Sequence, residues 1–564
     1  MGIRTWLEGS LASLGMTAFA AFPPPLARSS YRPLVLIDIP PPGRQTPATP
    51  PVLLLTHRGE AVTSLDVRAT APAQDRGAPR AYPDVQHWIG GQHVAGGPQF
   101  LDVLNPSTGA TISRVPLGGA AEVEQAYQAA RRAWPAWAAT PIKERVQVFY
   151  RYKALLERHL TELGKLVTEE HGKIASEAEA EVLKAIELTE FACSLPQIAV
   201  GEVMEVSRGV ECRLERHSLG VVASINPFNF PSMVPHWSFT NAIALGNTFV
   251  MKPSEQVPLS AGRIAALLKE AGLPDGVFNV IHGGREAAEA ILDHPGIEAV
   301  SFVGSTAVAK EVYRRGTNAL KRVLALGGAK NHVIVMPDAD PEMAAGGVLA
   351  AMSGCTGQRC MAASVMVAVS ATDHIVERLA AQARTMAAGR EVGPVITRQA
   401  KERIERAISE AEQAGAKVLV DGRNPTVPGR EGGFWVGPTV IDYVRPDMRI
   451  AQEEVFGPVL AIVRARDLDE AITVENASPY GNAASIFTES GGLARQVMQR
   501  ASAGMVGVNV GVPVPREPFP FGGWNESKFG VGDITGRSSI EFWTKAKKIT
   551  TKWNREAGTN WMAK

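Results

Sequence analysis

Two cysteines lie five positions apart in the segment MSGCTGQRCMAA, at Cys355 and Cys360. A nucleophilic cysteine needs a partly exposed position and neighbours that favour its thiolate, and small residues beside a cation provide both. Arg359 directly precedes Cys360, whereas no charged residue flanks Cys355. The alternative is that both cysteines are small core residues, which is the usual environment of a free cysteine.

The composition excludes several classes of function. The chain has 564 residues with 58 Lys and Arg against 57 Asp and Glu, and no long basic block that could follow a nucleic acid appears. No apolar run approaches the roughly 18 residues that a membrane span needs. The four cysteines form no C-x-x-C pair and have no metal-spaced histidines nearby, which predicts reduced thiols, no metal and a cytoplasmic location.

The first 82 residues differ from the rest, since they combine Pro- and Ala-rich stretches such as FPPPLARSS and IPPPGRQTPATPP with few acids. We predict a disordered N-terminal extension over 1–82. A secretory signal is a weaker interpretation of LASLGMTAFAAF, because Glu8 precedes this stretch and prolines follow it. An over-extended start site is a further alternative.

The catalytic candidates must be positioned by the elements that follow this extension. Short β-rich apolar runs alternate with helical patterns, which is typical of parallel βαβ units and predicts an α/β fold. Nine segments are strand candidates: 220–225, 247–252, 277–283, 299–305, 331–336, 363–369, 416–422, 459–465 and 505–510.

Six motifs occur in a fixed order: SINPFNFPSMVPHW, MKPSEQVP, FVGSTAVAK, GQRCMA, EEVFGPV and PFGGWNESKFG. In this order and spacing the chain resembles the aldehyde dehydrogenase superfamily from about Tyr82 to its end. The resemblance implies an α/β fold with a Rossmann-type cofactor domain, an α/β catalytic domain and a small β arm for homo-oligomerisation into a dimer or tetramer. The implied limits are 83–328 for the NAD-binding domain, interrupted by arm strands at about 201–218, 329–516 for the catalytic domain, and 517–564 for a C-terminal segment with an arm strand.

The resemblance also assigns roles to single residues. Cys360 is the implied nucleophile, and Asn229 would donate to the oxygen that becomes negative when the thiolate adds to an aldehyde, an effect worth about 3 kcal/mol. The alternative for Asn229 is an Asx turn between its flanking prolines. Hydride would pass to NAD, since a carboxylate near the ribose would repel the extra phosphate of NADP. The implied cofactor residues are Phe228, Lys252, Glu255, Gly304, Ser305, Glu454 and Phe456, with the N–H groups of Gly304 and Ser305 facing a phosphate.

The sequence departs from the commonest family pattern at Leu326. Hydrolytic members have a glutamate there, which activates water, and neither Ala325 nor Gly327 restores an acid. Without a base, water is a poor nucleophile, whereas a thiol supplies some thiolate at neutral pH. In this respect the chain resembles the CoA-acylating methylmalonate-semialdehyde dehydrogenases of valine catabolism, with coenzyme A as co-substrate and propionyl-CoA or acetyl-CoA as product.

Three residues are the implied substrate contacts. Arg359 would bind a substrate carboxylate, although an arginine bound to a local carbonyl is the structural alternative. Lys184 stands where the subfamily has a second arginine, which leaves malonate semialdehyde open as the substrate, and Phe521 is the third contact. Two other functions stay open: a hydrolytic NAD-dependent aldehyde dehydrogenase and a catalytically silent binding or structural relative.

Overall fold

The structure is a computed structural model that describes residues 80–553. The predictions for the extension before residue 80, and for the residues after 553, lie outside the described range. The strands are, in chain order, β1 (His87–Ile89), β2 (Gln92–Val94), β3 (Phe100–Leu104), β4 (Thr111–Pro116), β5 (Glu202–Ser207), β6 (Val210–Ser218), β7 (Val221–Ile225), β8 (Thr248–Lys252), β9 (Phe278–Val280), β10 (Ile297–Val303), β11 (Arg322–Leu326), β12 (Asn331–Val335), β13 (Ala363–Val369), β14 (Lys417–Val420), β15 (Thr439–Asp442), β16 (Val459–Ala465), β17 (Tyr480–Gly481), β18 (Ala483–Phe487), β19 (Met505–Val508), β20 (Trp524–Asn525), β21 (Lys528–Phe529) and β22 (Thr544–Lys552).

Helices connect most of these strands. They are α1 (Ala120–Ala139), α2 (Ile142–Arg158), α3 (Leu160–His171), α4 (Ala175–Ile198), α5 (Met233–Ala244), α6 (Leu259–Glu270), α7 (Arg285–Asp293), α8 (Thr306–Asn318), α9 (Pro341–Ser353), α10 (Asp373–Thr385), α11 (Arg398–Gln413), α12 (Arg449–Gln452), α13 (Leu468–Asn476), α14 (Gly491–Arg500) and α15 (Ser538–Trp543). No helix within residues 80–553 is long and apolar enough to cross a membrane.

The first large sheet has the strand order β2-β1-β9-β8-β7-β10-β11-β21. Its five central strands are parallel, and α5, α6, α7 and α8 connect them in turn. Numbered along the chain, these strands have the order 3-2-1-4-5 of a Rossmann sheet, so the order reverses between β7 and β10. Ligands of such sheets bind at the carboxyl ends of the strands near this reversal, and five of the seven predicted cofactor residues lie at the carboxyl ends of strands in this sheet.

The second large sheet has the order β14-β15-β16-β13-β12-β18-β19 and is parallel except for the antiparallel edge strand β14. Its inner strands are almost completely buried because apolar clusters cover both faces, with Ile334 and Val367 on one side and Val335 and Met366 on the other. The α/β fold predicted from the sequence is confirmed, and each of the nine strand candidates overlaps a strand.

A short link joins the two sheets. Residues 327–330 run from the end of β11 to the start of β12. The carboxyl edge of the first sheet and the amino edge of the second are therefore held close together. Cys360, three residues before β13, lies at that amino edge and so faces the carboxyl edge of the first sheet.

A separate antiparallel sheet of three strands has the order β22-β6-β5. Strand β22 pairs with β6 along its whole length, from Thr544 opposite Ser218 to Lys552 opposite Val210. This sheet joins the two segments that the sequence assigns to an arm. Every residue of β5 is exposed, including Val203 and Met204, at 63% and 67% of their surface. The limits of the three predicted domains stay a prediction.

Candidate active site

The backbone before Cys360 has an unusual conformation. Helix α9 ends at Ser353, and the turn that follows has left-handed φ angles of 51° at Cys355, 57° at Thr356 and 67° at Gly357. A Cβ at Gly357 would lie 2.0 Å from the carbonyl oxygen of Gly457, so no side chain fits there. This turn brings the cysteine segment back to the amino end of β13.

Two buried asparagines hold the main chain of Cys360. Its carbonyl oxygen accepts a hydrogen bond of 2.8 Å from Asn331 Nδ2 and another of 2.8 Å from Asn482 Nδ2. Asn331 opens β12 and Asn482 directly precedes β18, so two neighbouring strands fix the position of the cysteine. Sequence analysis missed both asparagines, although each directly adjoins an apolar strand segment.

Burial, and to a smaller extent the negative charge of Glu454, raises the pKa of the Cys360 thiol to about 12. The N–H groups of Cys360 and Met361 and the charge of Arg359 act in the opposite direction without offsetting the burial. Arg359 therefore does not make a thiolate of Cys360 in this state. Burial also raises the pKa of Cys355, to about 11.

Cys355 belongs to the structural framework. It is buried, and its N–H donates to Glu177 Oε1 at 2.7 Å. The two cysteines thus differ, since Cys360 lines an open cavity that Cys355 does not reach. Of the two interpretations open at the sequence level, the small core residue describes Cys355.

Asn229 approaches the nucleophile segment from the first sheet. It follows β7, is buried, and its Nδ2 donates to the carbonyl oxygen of Gln358 at 3.0 Å. Gln358 is itself fixed, because its Oε1 accepts the N–H of Ile396 at 3.0 Å. The side chain of Asn229 therefore crosses to within two residues of Cys360 instead of bonding inside a local turn.

A buried ion pair supports the Asn229 loop. The side chains of Lys173 and Glu181 are fully buried, and Lys173 Nζ lies 2.5 Å from Glu181 Oε2. Lys173 also donates to the carbonyl oxygen of Asn229 and sits 3.8 Å from the centre of the Phe230 ring. The other Glu181 oxygen accepts the N–H of Ser232 at 2.7 Å, at the start of α5.

Cys360 opens into a cavity of about 430 Å³. The predicted substrate residues Arg359, Lys184 and Phe521 line the same cavity, so the fold brings them together from segments far apart in the chain. The remaining wall is mainly apolar and consists of Phe230, Met233, Trp237, Met361, Val510, Val512, Val514 and Pro515, together with Arg516, Glu517 and Thr535.

The two predicted cations of this cavity already have partners. Lys184 Nζ donates to Glu517 at 2.8 Å and to Glu187 at 3.0 Å. One terminal nitrogen of Arg359 donates to the carbonyl oxygens of Ala350 and Ala351 at 2.7 and 2.9 Å, which is the local-carbonyl alternative considered above. The buried Nε of Arg359 has no partner among the described residues.

Five of the seven predicted cofactor residues lie at the carboxyl ends of strands in the first sheet, whereas Glu454 and Phe456 precede β16 of the second. Lys252 ends β8 and its Nζ lies 3.4 Å from Glu255 Oε2. Ser305 directly precedes α8, whose first N–H groups are free of helical bonds. The expectation for Gly304 is corrected: its N–H donates to the carbonyl of Leu326 at 3.1 Å, so it is not available to a phosphate.

Glu454 and Phe456 approach this edge from the loop before β16. The N–H of Ala329, in the link between the sheets, donates to Glu454 Oε1 at 3.2 Å. Burial raises the pKa of Glu454 to about 7. Phe456 packs edge-on against Phe228, with ring centres 5.8 Å apart and planes at 84°. Within residues 80–553, no group of three or more His, Cys, Asp or Glu side chains could hold a metal ion.

The Lys173–Glu181 pair gives a stability prediction. Lys173→Met leaves the Glu181 carboxylate buried without its cation, so we expect a loss of about 3–5 kcal/mol, measured as a shift of the urea unfolding midpoint. Lys153→Met is the matched control, because its partner Glu157 is about half exposed, at 51%, and surface pairs contribute at most about 1 kcal/mol. Equal shifts for both variants would contradict a supporting role for the buried pair.

Comparison with known proteins gives a consistent result. The family model described as "Aldehyde dehydrogenase family" matches residues 93–549. Malonate-semialdehyde dehydrogenase 2 of Bacillus thuringiensis is 44% identical over 480 residues, which cover 84% of this chain and 98% of the relative.

Two solved structures are similar to the chain. A methylmalonate-semialdehyde dehydrogenase of Sinorhizobium meliloti, complexed with NAD, has a TM-score of 0.83 at 40% identity and covers 85% of this chain and 99% of its own. The methylmalonate-semialdehyde dehydrogenase of Oceanimonas doudoroffii also has a TM-score of 0.83, at 45% identity and with coverage of 84% and 99%. With its Rossmann-ordered sheet, its cysteine between two sheets and these matches, the chain belongs to the aldehyde dehydrogenase family.

Proposed function

We propose that this enzyme oxidises malonate semialdehyde or methylmalonate semialdehyde with NAD and transfers the acyl group from Cys360 to coenzyme A. The observation that carries the proposal is the Cys360 cavity, whose described lining residues combine a thiol, three cationic side chains and a single carboxylate already paired with Lys184. The names of the relatives point to the same substrates.

Cys360 is the proposed nucleophile. Its thiolate adds to the aldehyde carbon, and the carbonyl oxygen, now negative, accepts hydrogen bonds from Asn229 Nδ2 and from the N–H of Cys360. Asn229 would have to exchange its bond to Gln358 for one to this oxygen. The high pKa of the free thiol means that binding of substrate and cofactor has to bring the proton loss into the working pH range.

The proposed cofactor residues form a donor and acceptor set that fits a dinucleotide. The α8 N-terminus behind Ser305 would face the phosphates, and Lys252 with Glu255 would contact the adenosine ribose. Glu454 would hold the nicotinamide ribose, with Phe456 and Phe228 as apolar contacts. When bound, NAD would supply the acceptor for the hydride that departs from the substrate carbon. Loss of this hydride converts the adduct on Cys360 into a thioester.

The acyl acceptor follows from the side chain at position 326. Leu326 is buried at the end of β11, where it offers no acid or base. Coenzyme A carries its own ionisable thiol and needs no such group. For a malonate-type acyl group, transfer with loss of the carboxylate as carbon dioxide gives acetyl-CoA, and the methylated substrate gives propionyl-CoA.

One observation favours a second candidate, an NAD-dependent enzyme that releases the free acid. Glu454 has a pKa of about 7 and lies close enough to Cys360 for its charge to raise the pKa of the thiol. A carboxylate with this pKa could activate water in place of the family glutamate. The reaction with and without coenzyme A distinguishes the two candidates.

The arm sheet supports a homo-oligomer, dimer or tetramer. An exposed edge strand such as β5, with the apolar side chains of Val203, Met204 and Val206, is a ready template for pairing with another chain. The four free cysteines support a cytoplasmic location, since disulfides are rare there.

The two cysteines give the first activity prediction. Cys360→Ala should abolish NADH formation from malonate semialdehyde, because it removes the proposed nucleophile. Cys355→Ala is the matched control, and we expect it to keep most of the activity, since the bond from its N–H to Glu177 is retained and its side chain does not line the cavity. The activity of both variants is followed by NADH absorbance, and similar losses of activity would refute Cys360 as the nucleophile.

The choice of acyl acceptor gives the second activity prediction. In the absence of coenzyme A, we expect a rapid burst of NADH equal to the enzyme concentration, followed by slow turnover, because the thioester waits for its acceptor. Adding coenzyme A should raise the steady-state rate and yield acetyl-CoA from malonate semialdehyde. Fast turnover without coenzyme A and release of free acid would replace this proposal with the hydrolytic one.

The titration of Glu454 gives a third prediction, on the pH dependence of NAD binding. Ribose hydroxyls donate to a carboxylate, so NAD binding favours the deprotonated acid. Affinity for NAD should therefore rise from pH 6 to pH 8 by up to about tenfold, because the pKa of the free enzyme's Glu454 is about 7. Fluorescence titration measures the Kd. Glu454→Gln should flatten this dependence, and an unchanged pH profile in that variant would remove Glu454 from the ribose site.

A further inference from the structure

The cavity at Cys360 has an unbalanced charge. Lys184, Arg359 and Arg516 line it, and Glu517 is the one carboxylate among its described lining residues. The Glu517 side chain is only 11% exposed and that of Lys184 only 18%, and their charged atoms are 2.8 Å apart. Lys184 thus holds a carboxylate at the position where a carboxylated substrate would place its own.

We propose that Glu517 is a resident counter-ion of Lys184, which a carboxylated aldehyde must displace in order to bind. The inference rests on the proposed function and adds a residue that sets its substrate specificity. Glu517 precedes the cavity wall residue Phe521 by only four positions and belongs to the segment that begins with Val510, so it enters the cavity with that segment.

The second partner of Lys184 is more exposed to solvent than Glu517. Glu187 lies one turn further along α4, its carboxylate is 3.0 Å from Lys184 Nζ, and its side chain is 45% exposed. It does not line the cavity. Solvent screens this outer pair strongly, whereas the inner pair with Glu517 is shielded from water and competes directly with a bound substrate.

Exchange of one carboxylate for another at Lys184 has a clear consequence. The attraction between substrate and lysine is offset by the loss of the Lys184–Glu517 pair, so it adds little net affinity. Further attraction has to come from Arg359, whose buried Nε lacks a partner within the described residues. Arg516 precedes Glu517 in the chain and is itself paired with Glu187, with 3.2 Å between Nη1 and Oε1. An aldehyde without a carboxylate leaves the pair intact.

The test is the ratio of kcat/KM for malonate semialdehyde to kcat/KM for propanal, measured with saturating NAD and coenzyme A. Glu517→Gln removes the competing charge, so we expect this ratio to rise about tenfold. Glu517→Asp, which keeps the charge but shortens the reach, should raise it less and serves if the first variant does not fold. A ratio that falls or stays unchanged in both variants overturns the inference.

Glu187→Gln is the matched control, since it removes the exposed partner that Lys184 shares with Arg516. We expect it to change the ratio by less than about twofold. If Glu187→Gln raises the ratio as much as Glu517→Gln does, the effect reflects the general charge around Lys184, and the specific role of Glu517 is refuted.

Malonate gives a readout that does not need a carboxylated aldehyde to react. As an inhibitor of propanal oxidation, it should bind about tenfold more tightly to Glu517→Gln than to the wild-type enzyme. If the wild-type enzyme oxidises propanal but not malonate semialdehyde, the proposed function fails, while tighter malonate inhibition still supports the inference. If malonate semialdehyde reacts and neither the ratio nor the inhibition changes, only the inference fails.

Discussion

The link of residues 327–330 is the constraint on which the site depends. Four residues are too few to turn away from the first sheet, so the carboxyl edge of β11 and the amino edge of β12 must meet. The close approach leaves little room for a side chain at positions 327 and 328. A Cβ at Gly327 would lie 2.8 Å from the carbonyl oxygen of Glu526, and one at Gly328 would lie 2.6 Å from Glu454 Oε2. The cofactor edge and the cysteine therefore face each other as a result of chain geometry.

Buried polar groups then fix the parts that this link brings together. Asn331 and Asn482 hold the cysteine from the second sheet, and Lys173 with Glu181 holds Asn229 from the helical layer of the first. Such groups are costly to bury without a partner, so their paired arrangement strongly favours one geometry over others. Several of the candidate site residues lie in loops, but these loops are hydrogen-bonded to residues at the ends of strands and helices.

The sequence predicted much of this arrangement, and the reasons for its failures are physical. Long apolar β-branched runs such as 363–369 were found because burial on both sheet faces leaves a strong pattern. Strand β18, with the sequence AASIF, was missed because alanine and serine have little β preference. The partners of Lys184 and Gly304 could not be predicted, since Glu517 is 333 residues away from the lysine and the Gly304 bond depends on how β11 ends.

The largely apolar wall of the cavity bears on both steps of the proposed reaction, formation of the Cys360 thiolate and attack on the acyl group. Trp237 and Phe521 pack with ring centres 4.5 Å apart, and with Phe230 they form much of the wall beside Cys360. Apolar walls raise the pKa of the thiol, because they solvate an anion poorly. The same walls disfavour hydroxide near the acyl group, and Leu326 adds no base to generate it. In the proposed function, an acceptor that brings its own polarisable thiol avoids the need for hydroxide, and its contacts away from the reacting carbon supply binding energy.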